Sequence, residues 1–97
     1  MQPVKRIEII LDFQDLDRII KILNGLGISG YTVIRDVTGS GDRGLRPGDE
    51  LTDVFKNSSI MTACPAEKMQ EIVEAIRPVL KRFGGICLVS DAEWVVH

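Results

Sequence analysis

Residues 36–57 read DVTGSGDRGLRPGDELTDVFKN and hold four of the nine glycines and one of the four prolines. Glycine and proline at this density punctuate a chain, and nothing in the run alternates or recurs as a core element does. A connection of this length in a short chain is a functional loop or an unstructured one. On either side of it lie regular hydrophobic patterns, and both sides give the same order of strand, helix and strand.

On the N-terminal side, residues 4–13 predict a strand. Ile7, Ile9, Leu11 and Phe13 alternate onto one face, and Ile10 makes the other face apolar too. Asp15 then stands where a helix cap is expected. Leu16, Ile19, Ile20, Leu23 and Leu26 recur at helical spacing as a buried stripe, with Asp17, Arg18, Lys21 and Asn24 on the wet side. Gly25 and Gly27 end that helix. Tyr31, Thr32, Val33 and Ile34 are β-branched or aromatic and predict a second strand.

On the C-terminal side, residues 59–64 predict a third strand, closed by Pro65. A helix follows whose stripe is Met69, Ile72, Val73, Ile76 and Leu80, with Glu71 and Glu74 exposed. Pro78 falls inside this pattern and is expected to kink or interrupt it near Arg77. Gly84 and Gly85 stop the helix. Residues 86–89 predict a fourth strand, with residues 92–96 continuing it or adding a short fifth piece. Two β-α-β halves joined by a long loop, each with a right-handed crossover, give an α+β ferredoxin-like βαββαβ sandwich: one antiparallel sheet with both helices on one side. The other sheet face is expected to carry Ile10, Val33 and Leu88, and a further copy of the chain is its natural cover.

The 97 residues make one domain, 44% hydrophobic and 27% charged, with a net charge of −2. That balance points away from nucleic acid and from anionic membranes as partners. No signal peptide or long apolar span stands out, so the expected compartment is the cytoplasm, with no direct membrane insertion. Cys64 and Cys87 read as two buried reduced thiols, and with the lone His97 they make no metal set. No nucleophile–base order or zinc motif appears, so no catalytic residue is assigned.

The loop carries the chemistry that remains. Gly39-Ser40-Gly41-Asp42-Arg43-Gly44-Leu45-Arg46 lets backbone N–H groups approach an anion, and Arg43 and Arg46 add planar donor forks suited to phosphate or carboxylate. It is not a phosphate-binding P-loop, because no Gly-Lys-Ser/Thr follows. Gly84-Gly85 reads first as a helix cap and turn. Trp94 reads as core or interface, and Tyr31 as a packed or ligand-flanking ring.

With these residues in view the chain resembles the PII and PII-like signalling family over nearly its whole length. Lys5-Arg6-Ile7-Glu8-Ile9-Ile10 is similar to that family's first strand, and Gly30-Tyr31-Thr32-Val33 to its second. Gly39 to Arg46 is similar to the start of its T-loop, here residues 36–57, and Ile86-Cys87-Leu88-Val89-Ser90-Asp91-Ala92-Glu93 to its closing strand. The resemblance implies a homotrimer that binds adenine nucleotides in clefts between subunits and reports through its T-loop to a target protein. It carries a nucleotide role to Gly30, Tyr31 and Thr32 on one side of the cleft. On the other side it carries that role to Gly39, Gly41, Arg43 and Arg46, with Gly84, Gly85 and Ile86 at the position of the B-loop.

The departures sharpen this. The 36–57 segment has no tyrosine to modify, the Gly84-Gly85-Ile86 turn lacks the family's lysine, and the chain stops at Val95-Val96-His97 in place of two terminal arginines. With fewer cations facing the distal phosphates, ADP and AMP are expected to bind better than ATP. The short arginine-bearing loop looks most like the branch linked to bicarbonate transport and carboxysomes. That branch implies bicarbonate, held at Arg43 or Arg46, as a second effector and a bicarbonate transporter or carboxysome-related protein as target. Two other classes stay open at this point: a small phosphate-ester hydrolase, and another ligand-binding trimer on the same fold.

Overall fold

The computed structural model describes residues 1–37 and 57–97. β1 (Gln2–Asp12) runs into a 3₁₀ turn (Phe13–Asp15) and α1 (Leu16–Gly25). β2 (Thr32–Val37), β3 (Asn57–Cys64), α2 (Ala66–Phe83) and β4 (Ile86–Trp94) follow. The four strands form one antiparallel sheet in the order β2-β3-β1-β4. This is the ferredoxin-like arrangement, in which each helix crosses back over the sheet between non-adjacent strands.

Register explains which residues are inside. Ile9 pairs with Ile60 and Ile7 with Thr62, so the odd positions of β1 and the even positions of β3 share the helix-covered face. Ile7, Ile9, Leu11 and Ile60 meet Leu16, Ile19 and Leu23 of α1 and Ile72 and Ile76 of α2 in one buried core. Each such side chain contributes about 1.5–3 kcal/mol by leaving water. Both predicted helical stripes point at this core.

α1 ends in a Schellman turn: Gly27 has φ +80°, its N–H donates to Asn24 O at 3.1 Å, and the Ile28 N–H donates to Leu23 O at 2.8 Å. Its start differs from expectation. Asp15 occupies the cap position without capping, and its Oδ1 lies 3.5 Å from Arg18 Nε instead. The 3₁₀ turn interposes itself before the helix, and Asp12 accepts the Gln14 N–H at 2.9 Å there.

Two further expectations are corrected, and one open alternative is decided. Pro78 does not interrupt α2, which is continuous from Ala66 to Phe83. A proline removes one helical hydrogen bond, and here it lies on the exposed side, where the buried Ile72 and Ile76 on the opposite face still hold the helix to the sheet. β4 runs as one strand to Trp94, so residues 92–94 continue it, the first of the two alternatives for this stretch. Val33 pairs with Ile60 and so packs on the core side, and its neighbour Ile34 takes the open face with Ile10 and Leu88. That face is apolar and wet within the subunit, with Ile34 54% and Leu88 55% exposed. It also carries Glu8, which accepts a 3.2 Å hydrogen bond from Ser59 Oγ. Trp94 is 54% exposed and does not belong to the subunit's core.

Candidate functional site

The sheet register collects one group of candidate residues at one end of the domain. Val37 and Asp12 both lie opposite Asn57, and Ile10 lies opposite Ile86. The start of the 36–57 segment, its end, the exit of β1 and the Gly84-Gly85 turn therefore share one rim. Asp36, Val37 and Asn57 are strand residues rather than loop. Asp36 has φ +59°, at a bulge between Arg35 and Val37. A bulge bends its strand, and Asp tolerates this left-handed conformation better than most side chains. Gly39, Gly41, Arg43 and Arg46 lie outside the described residues.

The Gly84-Gly85 turn is built for glycine. Gly84 has φ +89° and its N–H donates to Leu80 O at 2.8 Å, closing α2. Gly85 has φ +132°, and a Cβ there would stand 2.8 Å from Leu80 Cδ2, 3.0 Å from Ile10 O and 3.1 Å from Leu11 Cβ. The turn is thus pressed against the end of β1, which fixes where its backbone lies. Ile86 follows as the first residue of β4, on the open face and partly exposed.

Gly30, Tyr31 and Thr32 sit at the far end of β2. Thr62 Oγ1 donates to Gly30 O at 2.6 Å, which pins the entry to the strand. Tyr31 is half-buried against the core, and Thr32 is exposed opposite Met61. An added Cβ at Gly30 would meet nothing within 4 Å, so packing inside the subunit does not require glycine there. Five residue steps at about 3.3 Å each separate Thr32 from Val37. One subunit therefore does not bring the two groups of candidate residues together.

The rim next to Gly84-Gly85 carries an arrangement that patterning does not reveal, because its members are distant in sequence. Arg18, in the first turn of α1, stacks over the ring of Phe83, the last residue of α2, at 4.2 Å from the centroid. Arg82 lies over the same ring at 5.1 Å. A separate open groove bounded by Lys5, Glu67 and Asp91 lies at the opposite end of the sheet, with Lys5 paired to Asp91.

Burial raises the pKa of both thiols above the usual value of 9.0. At Cys64 the Glu67 carboxylate adds to that effect, and at Cys87 the Arg77 guanidinium opposes it. Cys64 is buried as expected, whereas Cys87 on β4 is only half-buried; both stay free and protonated near neutrality, which makes them poor nucleophiles. Among the described residues no three His, Cys, Asp or Glu side chains cluster as a metal site, and no helix is long and apolar enough to cross a membrane.

No curated protein matches the chain. Solved structures do. CPII, a nitrogen regulatory PII-like protein from Thiomonas intermedia K12, bound to ADP, AMP and bicarbonate, is 24% identical with a TM-score of 0.81, covering 98% of this chain and 96% of that one. The same protein bound to ADP and bicarbonate aligns at 27% identity and a TM-score of 0.78, over 95% and 88% of the two chains. A protein of Thermus thermophilus described as PII-like aligns at 22% identity and a TM-score of 0.76, over 97% and 91%. The family model for "Nitrogen regulatory protein P-II" matches residues 4–96. With the βαββαβ fold and the Gly30-Tyr31-Thr32-Val33 strand entry already in place, that match assigns the chain: it belongs to the nitrogen regulatory protein P-II family.

Proposed function

We propose that the protein is a non-enzymatic regulator that binds adenine nucleotides in clefts between subunits of a homotrimer, with ADP and AMP favoured over ATP. The carrying observation is the separation of its two candidate groups. Gly30, Tyr31 and Thr32 stand at one end of β2, and Gly84, Gly85 and Ile86 share the rim at the other end with the root of the 36–57 segment. A site that uses both groups takes them from two copies. The exposed face of Ile10, Ile34 and Leu88 supplies the apolar surface through which copies associate.

Residues 1–97 act as one domain in this reading, with the 36–57 segment as its T-loop. Gly39, Gly41, Arg43 and Arg46 complete the nucleotide cleft, and Arg43 or Arg46 takes bicarbonate as a planar anion. Occupancy orders the T-loop, which signals to a target in inorganic carbon metabolism, in the cytoplasm; binding shifts that equilibrium only so far as the nucleotide prefers the ordered state. The ligands in the CPII structures, ADP, AMP and bicarbonate, support this choice.

Calorimetry with AMP, ADP and ATP, each with and without bicarbonate, tests it. ADP and AMP are expected to bind more tightly than ATP, and Arg43→Ala and Arg46→Ala to weaken binding. Tighter ATP binding, or unchanged affinity in both variants, contradicts the assignment. Leu88→Asp, on an exposed position of the subunit, is expected to give a folded monomer by light scattering.

A further inference from the structure

The first turn of α1 and the last turn of α2 meet on one aromatic ring. The guanidinium carbons of Arg18 and Arg82 lie 4.2 Å and 5.1 Å from the centroid of Phe83, so they are no further apart than the sum of those distances. Asp15 Oδ1 lies 3.5 Å from Arg18 Nε. Neither Lys81 nor Arg82 has a carboxylate within ion-pair reach among the described residues. Asp17 is the other carboxylate in the first turn of α1. Arg18 and Arg82 thus share one ring, and of the two only Arg18 has a carboxylate within reach among the described residues.

Stacking uses the face of a guanidinium and leaves its in-plane N–H donors unspent. A shared ring therefore holds two donor forks in set orientations, with less side-chain entropy left to lose when they bind. Like charges mounted on one ring repel each other. An anion bound by both relieves that repulsion and takes charge-assisted hydrogen bonds from each. Phe83 is joined to Gly84 and, through it, to Gly85, which packs closely on Leu80, Ile10 and Leu11.

We propose that Arg18 and Arg82, mounted on Phe83, form a guanidinium clamp for a phosphate group beside the Gly84-Gly85 turn, and that this phosphate belongs to the bound nucleotide. The second half of the proposal rests on the nucleotide reading above. The clamp gives the folded domain its own grip on phosphate, independent of Arg43 and Arg46, at a turn that has no lysine.

The test is calorimetry of the full chain with ADP, adenosine and inorganic pyrophosphate, on the wild type, Arg18→Gln, Arg82→Gln and Phe83→Leu. Circular dichroism confirms that each variant is folded. Each arginine variant is expected to lose about tenfold in ADP affinity, the scale of a hydrogen bond to a charged group, with adenosine affinity unchanged. Phe83→Leu, which keeps both charges and removes their mount, is expected to lose ADP affinity as well. ADP affinity within about twofold of wild type in both arginine variants, or an equal loss for adenosine, overturns the clamp and leaves nucleotide binding standing. A wild type that binds no adenine nucleotide overturns the nucleotide reading instead. Pyrophosphate then decides the clamp: binding that Arg82→Gln abolishes supports it, and no binding overturns it.

Discussion

Thr62 Oγ1 donates a 2.6 Å hydrogen bond to the carbonyl oxygen of Gly30. Thr62 is buried on β3 and Gly30 precedes β2, so one hydroxyl ties the entry of the edge strand to the middle of the sheet. Thr62→Val keeps the shape and removes the donor. The expected cost is about 1 kcal/mol in urea unfolding, the net value of such a bond. Stability equal to wild type would show that Gly30 O finds another partner.

Gly85 and Gly30 make a matched pair. Gly85→Ala places a Cβ 2.8 Å from Leu80 Cδ2 and 3.0 Å from a backbone oxygen, at φ +132°. A destabilisation of about 2 kcal/mol or more is expected, with the α2–β4 turn displaced. Gly30→Ala meets nothing within 4 Å and has no positive φ, so its stability should lie within about 0.5 kcal/mol of wild type. If both variants lose stability equally, the packing described for Gly85 is not what sets its identity.

Ser58 Oγ is fully buried and has no hydrogen-bond partner among the described residues. Leaving a hydroxyl in that state costs roughly 1–3 kcal/mol. Ser58→Ala should therefore leave stability unchanged or raise it by up to about 1 kcal/mol, read as the midpoint of denaturant unfolding. A clear loss of stability would mean that the hydroxyl is bonded in solution.

The thiols give the protein a pH dependence of known sign. Burial raises both above 9.0 in the folded chain, so the neutral form is the folded form. Below the unfolded value both states keep the proton and stability is unaffected. Above it the unfolded chain ionises first, and stability falls as pH rises through the folded values. Urea midpoints should thus fall between about pH 8 and pH 10, and less steeply in a Cys64→Ala, Cys87→Ala variant. Equal slopes in the two proteins would remove the thiols as the cause.

Much of the fold is legible in the sequence, because its elements are strongly periodic. The alternation of Ile7, Ile9 and Leu11 and the two helical stripes predict the core of the folded chain. The parity of β2 is not legible, since Tyr31, Thr32, Val33 and Ile34 all suit a strand on either face. Only the pairing of Val33 with Ile60 decides it. Pro78 misleads for a related reason: local propensity argues for a break, and packing of the opposite helix face outweighs it. At the candidate site, Gly84 and Gly85 are visible as a helix stop, but the need for glycine at Gly85 comes from atoms of Ile10 and Leu11, far away in the chain. The Arg18–Phe83 stack is invisible to any local pattern because the two residues meet only through the packing of α1 on α2.

The central claim is that one nucleotide is held by two copies of the chain, and subunit complementation tests it most directly. Thr32→Asp introduces a carboxylate on the β2 side of the cleft, and Arg43→Asp reverses a charge on the T-loop side. Each variant alone should fail to bind ADP in calorimetry. Trimers reassembled from an equal mixture contain clefts whose two sides are both wild type, and roughly a quarter of the wild-type stoichiometry should return. Recovery at that level is the predicted result. A mixture that binds no more ADP than the separate variants would contradict it and place the nucleotide within a single chain.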